Sequence, residues 1–359
     1  MRYTRRNGQR SSRWVPTKAL GRDGLRQTGG LVTDMMTAWV LEGPGEPSAF
    51  RKVKRVCPNA RPDWVVVRVR AFGLNRSELF SRRGLSSEDF SFPRVLGLEG
   101  VGEVLDPGDS DLTEGDRVAC LMGGMGRSFD GSYATHVCVP RKQVFRANVD
   151  LAWDALGAFP ETYNTAYGVC VEALRLEAHD RVLIRGGTSA LGLAAASIAQ
   201  DIGCDVVTTT RNERKVELLA ERAQARVILD GPDFAERVLT EAGPRTAVVE
   251  CVGAAATVET SCATMTEGGR LGLVGQLSES WDTDAAPRIP DGIESSFTRS
   301  DLVEAPRDDD RMATIFKAAQ AGRYRTNLHR VFSFDELPNA HAVMGANESV
   351  GKLVVRSDA

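Results

Sequence analysis

The sequence predicts an α/β protein in which a β-rich first half is followed by a second half built of parallel βαβ units. Up to Pro140, short strand-like segments bounded by Gly, Pro or Asp follow one another closely. Beyond Pro140, strand-like and helical segments alternate, which is typical of a doubly wound parallel sheet with right-handed crossovers. A last strand, helix and strand break that alternation, and we expect them to return to the β-rich unit.

The composition is that of an ordinary soluble protein. Of the 359 residues, 42% are hydrophobic and 26% are charged, and the net charge is -3. This charge gives no reason to expect nucleic acid or an anionic membrane as the main partner, so we predict a small-molecule substrate, no nucleic acid and no membrane. Seven cysteines lie scattered, without a close pair at metal-ligand spacing and without a secretory leader ahead of them. We therefore predict a cytoplasmic protein with reduced thiols and no membrane contact.

Residues 1–35 are predicted to form a flexible basic extension. In the first 33 residues eight Lys and Arg residues face one acid, Asp23, and the apolar residues are few and show no periodicity. An upstream start codon, with the true beginning near Met35 or Met36, explains the same composition. An organelle-targeting peptide or a nucleic-acid tether would explain it as well.

The strands of the first half are predicted from runs of β-branched and alternating apolar residues. One of them covers residues 133–139. The runs read "TAWVL", "WVVVRVRAFGLN", "GLEGVGEVL", "GDRVACL" and "GSYATHVCVP".

In the second half, segments with the apolar pattern of a strand alternate with segments that have the apolar pattern of a helix. "DRVLIRGG" predicts a buried strand, "ALGLAAASIAQDIG" a helix that ends at Gly203, and "DVVTTTR" the next strand. "NERKVELLAERA" predicts an amphipathic helix, and "TAVVECVG" and "RLGLVG" predict two further strands. The series predicts a nucleotide-binding type of sheet.

The glycine-rich turn "LIRGGTSALGLA" is the first candidate site. Gly187, Ser189 and Gly192 stand at the three positions of a dinucleotide-binding fingerprint, so serine replaces its middle glycine. The turn follows a strand and opens a helix, as the fingerprint requires. The hydroxyl groups and the backbone N–H groups at the helix start are candidate phosphate donors. A purely structural turn is the alternative. The predicted cofactor-binding residues of the turn are Gly187, Thr188, Ser189, Ala190, Leu191 and Gly192.

The end of the next strand indicates which dinucleotide binds. In "TTTRNERK", Thr210 holds the position of the acid that binds the ribose of NAD, Arg211 follows it, and Lys215 lies in the following helix. Because arginine binds phosphate in a bidentate manner, the absence of the acid favours NADP(H). The alternative is that these cations only form a solvated helix start.

From about Met36 to Val355 the chain resembles the medium-chain dehydrogenase/reductase superfamily, and within it the zinc-independent quinone oxidoreductase and enoyl reductase branch. The matching phrases are "AFGLNRSELFSRRG", "PRVLGLEGVGEV", "GDRVA", "GSYATHV", "ETYNTAYG", "VLIRGGTSALGLAAASIA" and "ESVGKLVV". The resemblance implies a GroES-like catalytic domain over residues 36–155 and 297–359, and a Rossmann domain over residues 156–296. It also implies NADP(H) in the cleft between them and a homodimer.

The resemblance also permits a prediction about metal. Zinc-dependent relatives have a ligand Cys where this sequence has Asn75, a ligand His where it has Leu98, and a second Cys near Glu161. A catalytic zinc needs three protein ligands of the His, Cys or acidic type. We therefore predict no metal, and we expect Glu99 to accept hydrogen bonds within the fold.

Further site residues follow from the resemblance. Asn75 and Glu78 match a segment that lines the nicotinamide end, with Glu78 as a brace of the loop. Side-chain chemistry predicts three donors to a developing oxyanion: Asn75, Tyr163 and Tyr167. For the two tyrosines the alternative is a role in the core with the hydroxyl group satisfied there. Additional cofactor contacts are expected at strand ends and at positions matching the family: Thr165, Val252, Gly253, Gly275 and Lys352. For Thr165 the alternative is an ordinary helix residue, and for Lys352 it is a surface lysine.

Three functions are consistent with these residues. The first is an NADPH-dependent oxidoreductase that transfers hydride to a quinone or an activated carbonyl compound without zinc. The second is an enoyl or enone reductase of a metabolic or biosynthetic pathway. The third is a non-catalytic NADPH-binding sensor. The sequence predicts no dedicated proton donor.

Overall fold

The computed structural model describes residues 34–86, 90–274, 286–298 and 309–357. The predicted basic extension lies outside these residues except for its last two positions, and Met35 is already the first residue of a strand. Gly275, a predicted cofactor contact, also lies outside them.

The β-rich first half forms strands wherever the sequence alternates or carries β-branched runs. Its elements are β1 Met35–Leu41, β2 Arg51–Val56, β3 Trp64–Gly73, α1 Ser77–Arg82, β4 Arg94–Val95, β5 Glu99–Asp106, β6 Arg117–Leu121, β7 His136–Pro140 and β8 Val144–Arg146.

The second half alternates helices and strands before it returns to the first sheet. Its elements are α2 Trp153–Leu156, α3 Pro160–Tyr167, β9 Arg181–Arg185, α4 Ala190–Ile202, β10 Asp205–Thr210, α5 Val216–Ala223, β11 Arg226–Leu229, α6 Phe234–Ala242, β12 Arg245–Glu250, α7 Ala255–Cys262, β13 Met265–Val274, β14 Glu294–Thr298, α8 Asp309–Gln320, β15 Leu328–Ser333, α9 Leu337–Gly345 and β16 Lys352–Arg356. α4 ends at Gly203, whose φ of 100° closes it in the left-handed conformation.

Two β-sheets make up the catalytic domain in the described part of the chain. The smaller has the order β2-β1-β4, and the larger has the order β15-β16-β3-β5-β6-β8, with β7 also paired to β3. β16 pairs antiparallel with β3, where Val354 lies opposite Gly73. The last described strand therefore lies against the middle of a sheet that the first half begins.

The Rossmann domain contains a parallel sheet with the order β11-β10-β9-β12-β13-β14 among the described residues. Numbered within the domain, this is 3-2-1-4-5-6, and the order reverses between β9 and β12. Ligands of such sheets bind at the carboxyl ends of the strands beside that reversal. The predicted fold class, a GroES-like domain with a Rossmann domain, is confirmed.

The predicted boundary at residue 297 falls inside a strand of the Rossmann sheet. β14 continues the parallel sheet to Thr298. The buried face of α8, which includes Met312 and Phe316, packs in the same apolar cluster as Leu193 of α4. β15 is the first described strand after β14 that pairs in the larger sheet of the catalytic domain.

One apolar cluster joins the two domains. It contains Ala71 and Leu98 of the catalytic domain together with Ala166 of α3 and Ile184 of the Rossmann sheet. Among the described residues, no helix is long and apolar enough to cross a membrane. The homodimer and the cytoplasmic location stay predictions.

Candidate active site

The glycine-rich turn is shaped by close packing between β9 and β10. Gly186 has a φ of 82°, a left-handed conformation that favours glycine. A Cβ atom on Gly187 would lie 1.7 Å from Oγ1 of Thr208, and one on Gly192 would lie 2.7 Å from the carbonyl oxygen of Gly186. Gly187 and Gly192 thus allow strand, turn and helix to approach as the fingerprint requires.

Ser189 is the N-cap of α4, and this differs from its predicted role as a hydroxyl donor to phosphate. Its Oγ accepts the N–H of Gly192 at 2.9 Å and donates to the carbonyl oxygen of Gly186 at 2.8 Å. Within the described ranges, the N–H groups of Ala190 and Leu191 have no protein acceptor. These backbone groups at the helix start fit a phosphate, because such orphan donors bind anions.

The end of β10 supports only part of the predicted 2′-phosphate site. Thr210 is buried, and its Oγ1 accepts the N–H of Asn212 at 3.2 Å, while Arg211 is exposed. Lys215 differs from its predicted role, since its Nζ donates to the carbonyl oxygens of Asn347 and Ser349, the latter at 3.0 Å. Lys215 therefore ties the Rossmann domain to the loop before β16.

Arg76 brings a second cation to this corner from the catalytic domain. Its Nη1 donates to Oδ1 of Asn347, the residue whose carbonyl oxygen binds Lys215. Burial lowers the pKa of Arg76, and the nearby charge of Arg211 lowers it further. The charges of two guanidinium groups from different domains thus repel each other, and an anion bound between them would relieve this repulsion.

The turn after β12 is held by a buried carboxylate. Oε1 of Glu250 accepts the N–H of Val252 at 2.8 Å and that of Gly253 at 3.2 Å. Gly253 has a φ of 73°, which suits glycine. Val252 and Gly253 therefore lie at the carboxyl end of β12, as predicted, with these N–H groups directed into the protein.

A buried ammonium group forms the centre of the catalytic side of the cleft. Nζ of Lys352 donates to Oδ1 of Asn75 at 2.8 Å, to Oε1 of Glu99 at 2.6 Å and to Oγ1 of Thr162 at 2.8 Å. Lys352 is 2% exposed and Glu99 is 0% exposed. We call these four residues the Lys352 cluster. Because all three N–H bonds of the ammonium group are used, Lys352 is neither the cofactor contact nor the surface lysine that the sequence suggested.

The Lys352 cluster fixes the orientation of the Asn75 amide. Its Oδ1 accepts from the ammonium group, and its Nδ2 donates to Oε1 of Glu99 at 2.8 Å, the oxygen that also accepts from Lys352. An amide nitrogen carries two N–H bonds, and Glu99 uses one of them. Asn75 is 8% exposed, and its second N–H is a candidate donor to a substrate oxygen.

Glu78 braces the loop that carries Asn75. It accepts the N–H of Asn75 at 2.7 Å, the N–H of Leu98 at 2.9 Å and the hydroxyl of Tyr133 at 2.6 Å. Burial raises the pKa of Glu78 to about 7, although these three hydrogen bonds favour the carboxylate. The predicted bracing role of Glu78 agrees with this geometry.

Thr165 lies on α3 next to a second glutamate. Its hydroxyl donates to Oε1 of Glu161 at 3.1 Å, and the backbone N–H of Glu161 donates to Oε2 of Glu99 at 2.8 Å. Thr165 is 7% exposed, whereas Glu161 is only half-buried. α3 therefore brings Thr165 and Glu161 beside the Lys352 cluster.

The two predicted tyrosine donors lie in different environments. Tyr163 is buried, its hydroxyl donates to the carbonyl oxygen of Arg325, and its ring stacks on Tyr324 at 5.2 Å between centroids. This hydroxyl is part of the packing between α3 and the segment after α8, so the prediction of Tyr163 as an oxyanion donor is not supported. Tyr167 is half-buried, with the guanidinium group of Arg311 5.9 Å from its ring centre.

Family models match both domains of the chain. Residues 61–149 match the model described as an alcohol dehydrogenase GroES-like domain, and residues 190–292 match the one described as a zinc-binding dehydrogenase. Together with the two-domain fold, these matches decide the family. The chain belongs to the medium-chain dehydrogenase/reductase superfamily.

Within this superfamily the chain is similar to biosynthetic and free-standing proteins. A phenolphthiocerol/phthiocerol polyketide synthase component of Mycobacterium tuberculosis is 28% identical over 326 residues, which cover 88% of this chain and 14% of that protein. The match to the fungal highly reducing polyketide synthase poxF of Penicillium oxalicum covers 7% of that protein. The chain thus corresponds to a small part of these curated relatives.

Solved structures of similar fold cover nearly the whole chain. The quinone oxidoreductase from Coxiella burnetii has a TM-score of 0.76 at 22% identity, over 90% of this chain and 99% of that one. Mycobacterial Rv1454c complexed with NADPH has a TM-score of 0.76 at 23% identity, over 89% and 99% of the two chains. At these identities the likeness concerns the fold.

The sequence did not predict which residues of this site are hydrogen-bonded to one another. Thr162 was not predicted, although it lies in the phrase "ETYNTAYG" that carries Thr165. The expectation that Glu99 accepts hydrogen bonds within the fold agrees with its three contacts to Asn75, Lys352 and Glu161. No local signal links positions 99 and 352, because only the pairing of β16 with β3 brings them together.

Proposed function

We propose that this oxidoreductase uses NADPH to reduce a quinone or another activated, conjugated carbonyl compound without a zinc ion. The observation that carries the proposal is the Lys352 ammonium group, which occupies the oxygens of Asn75 and Glu99. Asn75 and Leu98 stand at two of the positions where zinc-dependent relatives have a ligand, and Leu98 supplies only an apolar side chain. The described residues include no cluster of three or more His, Cys, Asp or Glu side chains suited to a metal. This donor set does not fit a catalytic zinc.

The chemistry expected of such a site suits acceptors that take hydride readily. Bound NADPH supplies the hydride, whereas the protein supplies orientation and electrostatic stabilisation. The free N–H of Asn75 is directed by Lys352 and Glu99 and stabilises the oxyanion that develops on the acceptor. A fixed donor of this kind suits a conjugated carbonyl group, whose oxygen gains the charge.

Steady-state assays test the activity directly. Purified protein mixed with NADPH and a panel of benzoquinones, naphthoquinones and conjugated enones is expected to oxidise NADPH in an acceptor-dependent manner. Addition of a strong zinc chelator should leave the rate unchanged. Failure to oxidise NADPH with every acceptor would refute the activity, and loss of the rate on chelation would refute the zinc-free mechanism.

The preference for NADPH over NADH is tested at the end of β10. We expect Arg211→Asp to weaken NADPH binding by about 10- to 100-fold, because a charge-assisted contact to phosphate contributes about 1.5–3 kcal/mol. The dissociation constant of NADH should change little. Fluorescence titration of both cofactors measures the two effects. Arg214→Asp is the matched control, since Arg214 is an exposed cation three residues along the same turn. An equal effect of both substitutions would contradict the assignment.

A second candidate function is reduction of an enoyl group, and the similarity to polyketide synthases favours it. An enoyl thioester has the same conjugated carbonyl group, so the amide of Asn75 would serve it equally. This alternative predicts stereospecific deuterium transfer from labelled NADPH to the β-carbon of a crotonyl thioester. NMR spectroscopy of the product detects the label. Turnover of quinones without any such transfer would exclude it.

A further inference from the structure

Glu161 is a carboxyl group in the cleft that the proposed hydride transfer does not yet use. It is the second residue of α3, after Pro160, and it is half-buried while the next four side chains are buried. Its Oε1 accepts the hydroxyl of Thr165 at 3.1 Å. Its Oε2 has no hydrogen-bond partner within the described ranges. One oxygen is therefore held and the other is available.

Glu99 places this carboxyl group beside the Asn75 amide. Oε1 of Glu99 accepts from Nδ2 of Asn75, and Oε2 of the same carboxylate accepts from the backbone N–H of Glu161. The two residues are thus bound to the two oxygens of one buried group. A substrate oxygen that reaches the Asn75 amide is held close to the start of α3.

Burial favours the protonated form of Glu161, against the pull of two nearby cations. Three charged groups face it: Glu99 from β5, Lys352 from β16 and Arg127 from the loop between β6 and β7. Lys352 binds Glu99 directly, so two carboxyl groups share one buried ammonium group. Burial raises the pKa of Glu161, and the negative charge of Glu99 adds to this rise. The positive charges of Lys352 and Arg127 and the hydrogen bond from Thr165 oppose it, and the net shift of the pKa is upward.

We propose that Glu161 is the general acid of the reduction, delivering a proton from Oε2 to the oxyanion or enolate formed when the acceptor takes up hydride. This inference rests on the proposed function. The O–H bond of Glu161 breaks, and a new O–H or C–H bond forms on the product. The acceptor has then gained one hydride, supplied with its electron pair by NADPH, and one proton. The carboxylate of Glu161 regains a proton from water before the next turnover.

Glu161→Gln tests the acid role, because the amide keeps the shape of the side chain and the acceptor for Thr165 but has no acidic proton. Positioned general acids contribute about 10²- to 10⁴-fold to the rate. We expect kcat to fall by at least about 100-fold, with the dissociation constant of NADPH within two-fold of the wild-type value. We expect kcat of the wild type to fall at alkaline pH, where the acid is deprotonated, and we expect Glu161→Gln to lack this fall. Glu172→Gln, an exposed glutamate just after α3, is the control.

A second measurement does not depend on turnover. The infrared spectrum of the wild-type protein at neutral pH, minus that of Glu161→Gln, is expected to contain the C=O stretching band of a protonated carboxylic acid. Absence of that band overturns the inference, and so does a variant that keeps the wild-type kcat and alkaline profile. Failure of the proposed function has a different signature: the wild-type protein itself oxidises no NADPH with any acceptor.

Discussion

Replacing Lys352 by methionine is expected to lower the free energy of unfolding by about 3–5 kcal/mol, the cost of removing one partner from a buried ion pair. Glu99 is fully buried and accepts from the ammonium group at 2.6 Å, so the substitution leaves its negative charge without a cation. Methionine retains most of the side-chain volume, which limits the effect of a cavity. Urea denaturation followed by circular dichroism measures the difference.

The double variant Lys352→Met with Glu99→Gln separates charge from packing. Because the neutral amide removes the unpaired charge, we expect it to recover at least half of the lost stability. Lys52→Met is the matched control, since Lys52 forms an exposed ion pair with Asp335. Exposed pairs contribute about 0–1 kcal/mol, so this control should change little. A loss of equal size in both lysine variants would show that burial of the pair is unimportant.

The second large effect is expected on the rate. Asn75→Ala should lower kcat by about 10²- to 10³-fold, the usual effect of removing one preorganised oxyanion donor. The dissociation constant of NADPH should stay within two-fold, because Asn75 is assigned to the developing charge on the acceptor. Stopped-flow absorbance measures the rate of NADPH oxidation, and fluorescence titration measures the affinity.

Asn164→Ala is the control for the loss of a buried amide. Asn164 and Asn75 are each 8% exposed, and the Asn164 amide binds Met122 and Arg311 instead of the Lys352 cluster. We expect this variant to keep its kcat within a few-fold. If both variants lose the same activity, the effect of Asn75 is one of packing, and its role as oxyanion donor is wrong.

The sequence pattern predicted the strands that bury an apolar face, but it did not predict a strand whose side chains are exposed. β3 and β5 carry apolar residues that the protein buries, and their periodicity predicted both. β2 has the sequence "RKVKRV" and buries none of its residues, so the alternation that marks a strand is missing. Residues 133–135 were expected to begin β7, but they bond to Thr37 and Trp39 of β1. The periodicity marks such a segment as extended without indicating which strand it joins.

For the site, the sequence indicated positions better than contacts. The turn around Gly187, the strand ends and Asn75 could be predicted as places in the cleft, because fingerprint spacing and family phrases are local. The partners of Ser189, Lys215 and Lys352 depend on where distant segments meet, and each hydrogen-bonding group proved to be engaged with the protein. Contacts across the fold cannot be derived from local spacing alone.

The pairing of β16 with β3 sets the order in which the active site can assemble. The ribosome synthesises β3 and the loop carrying Asn75 long before Lys352. The Glu99 carboxylate therefore has no ion-pair partner until the whole Rossmann domain has been translated. Contacts between segments so far apart in sequence form slowly. The Rossmann domain, whose described strands are contiguous, can fold first and serve as the scaffold against which the catalytic domain closes. The Lys352 cluster is therefore incomplete until nearly the whole of this sequence has been synthesised.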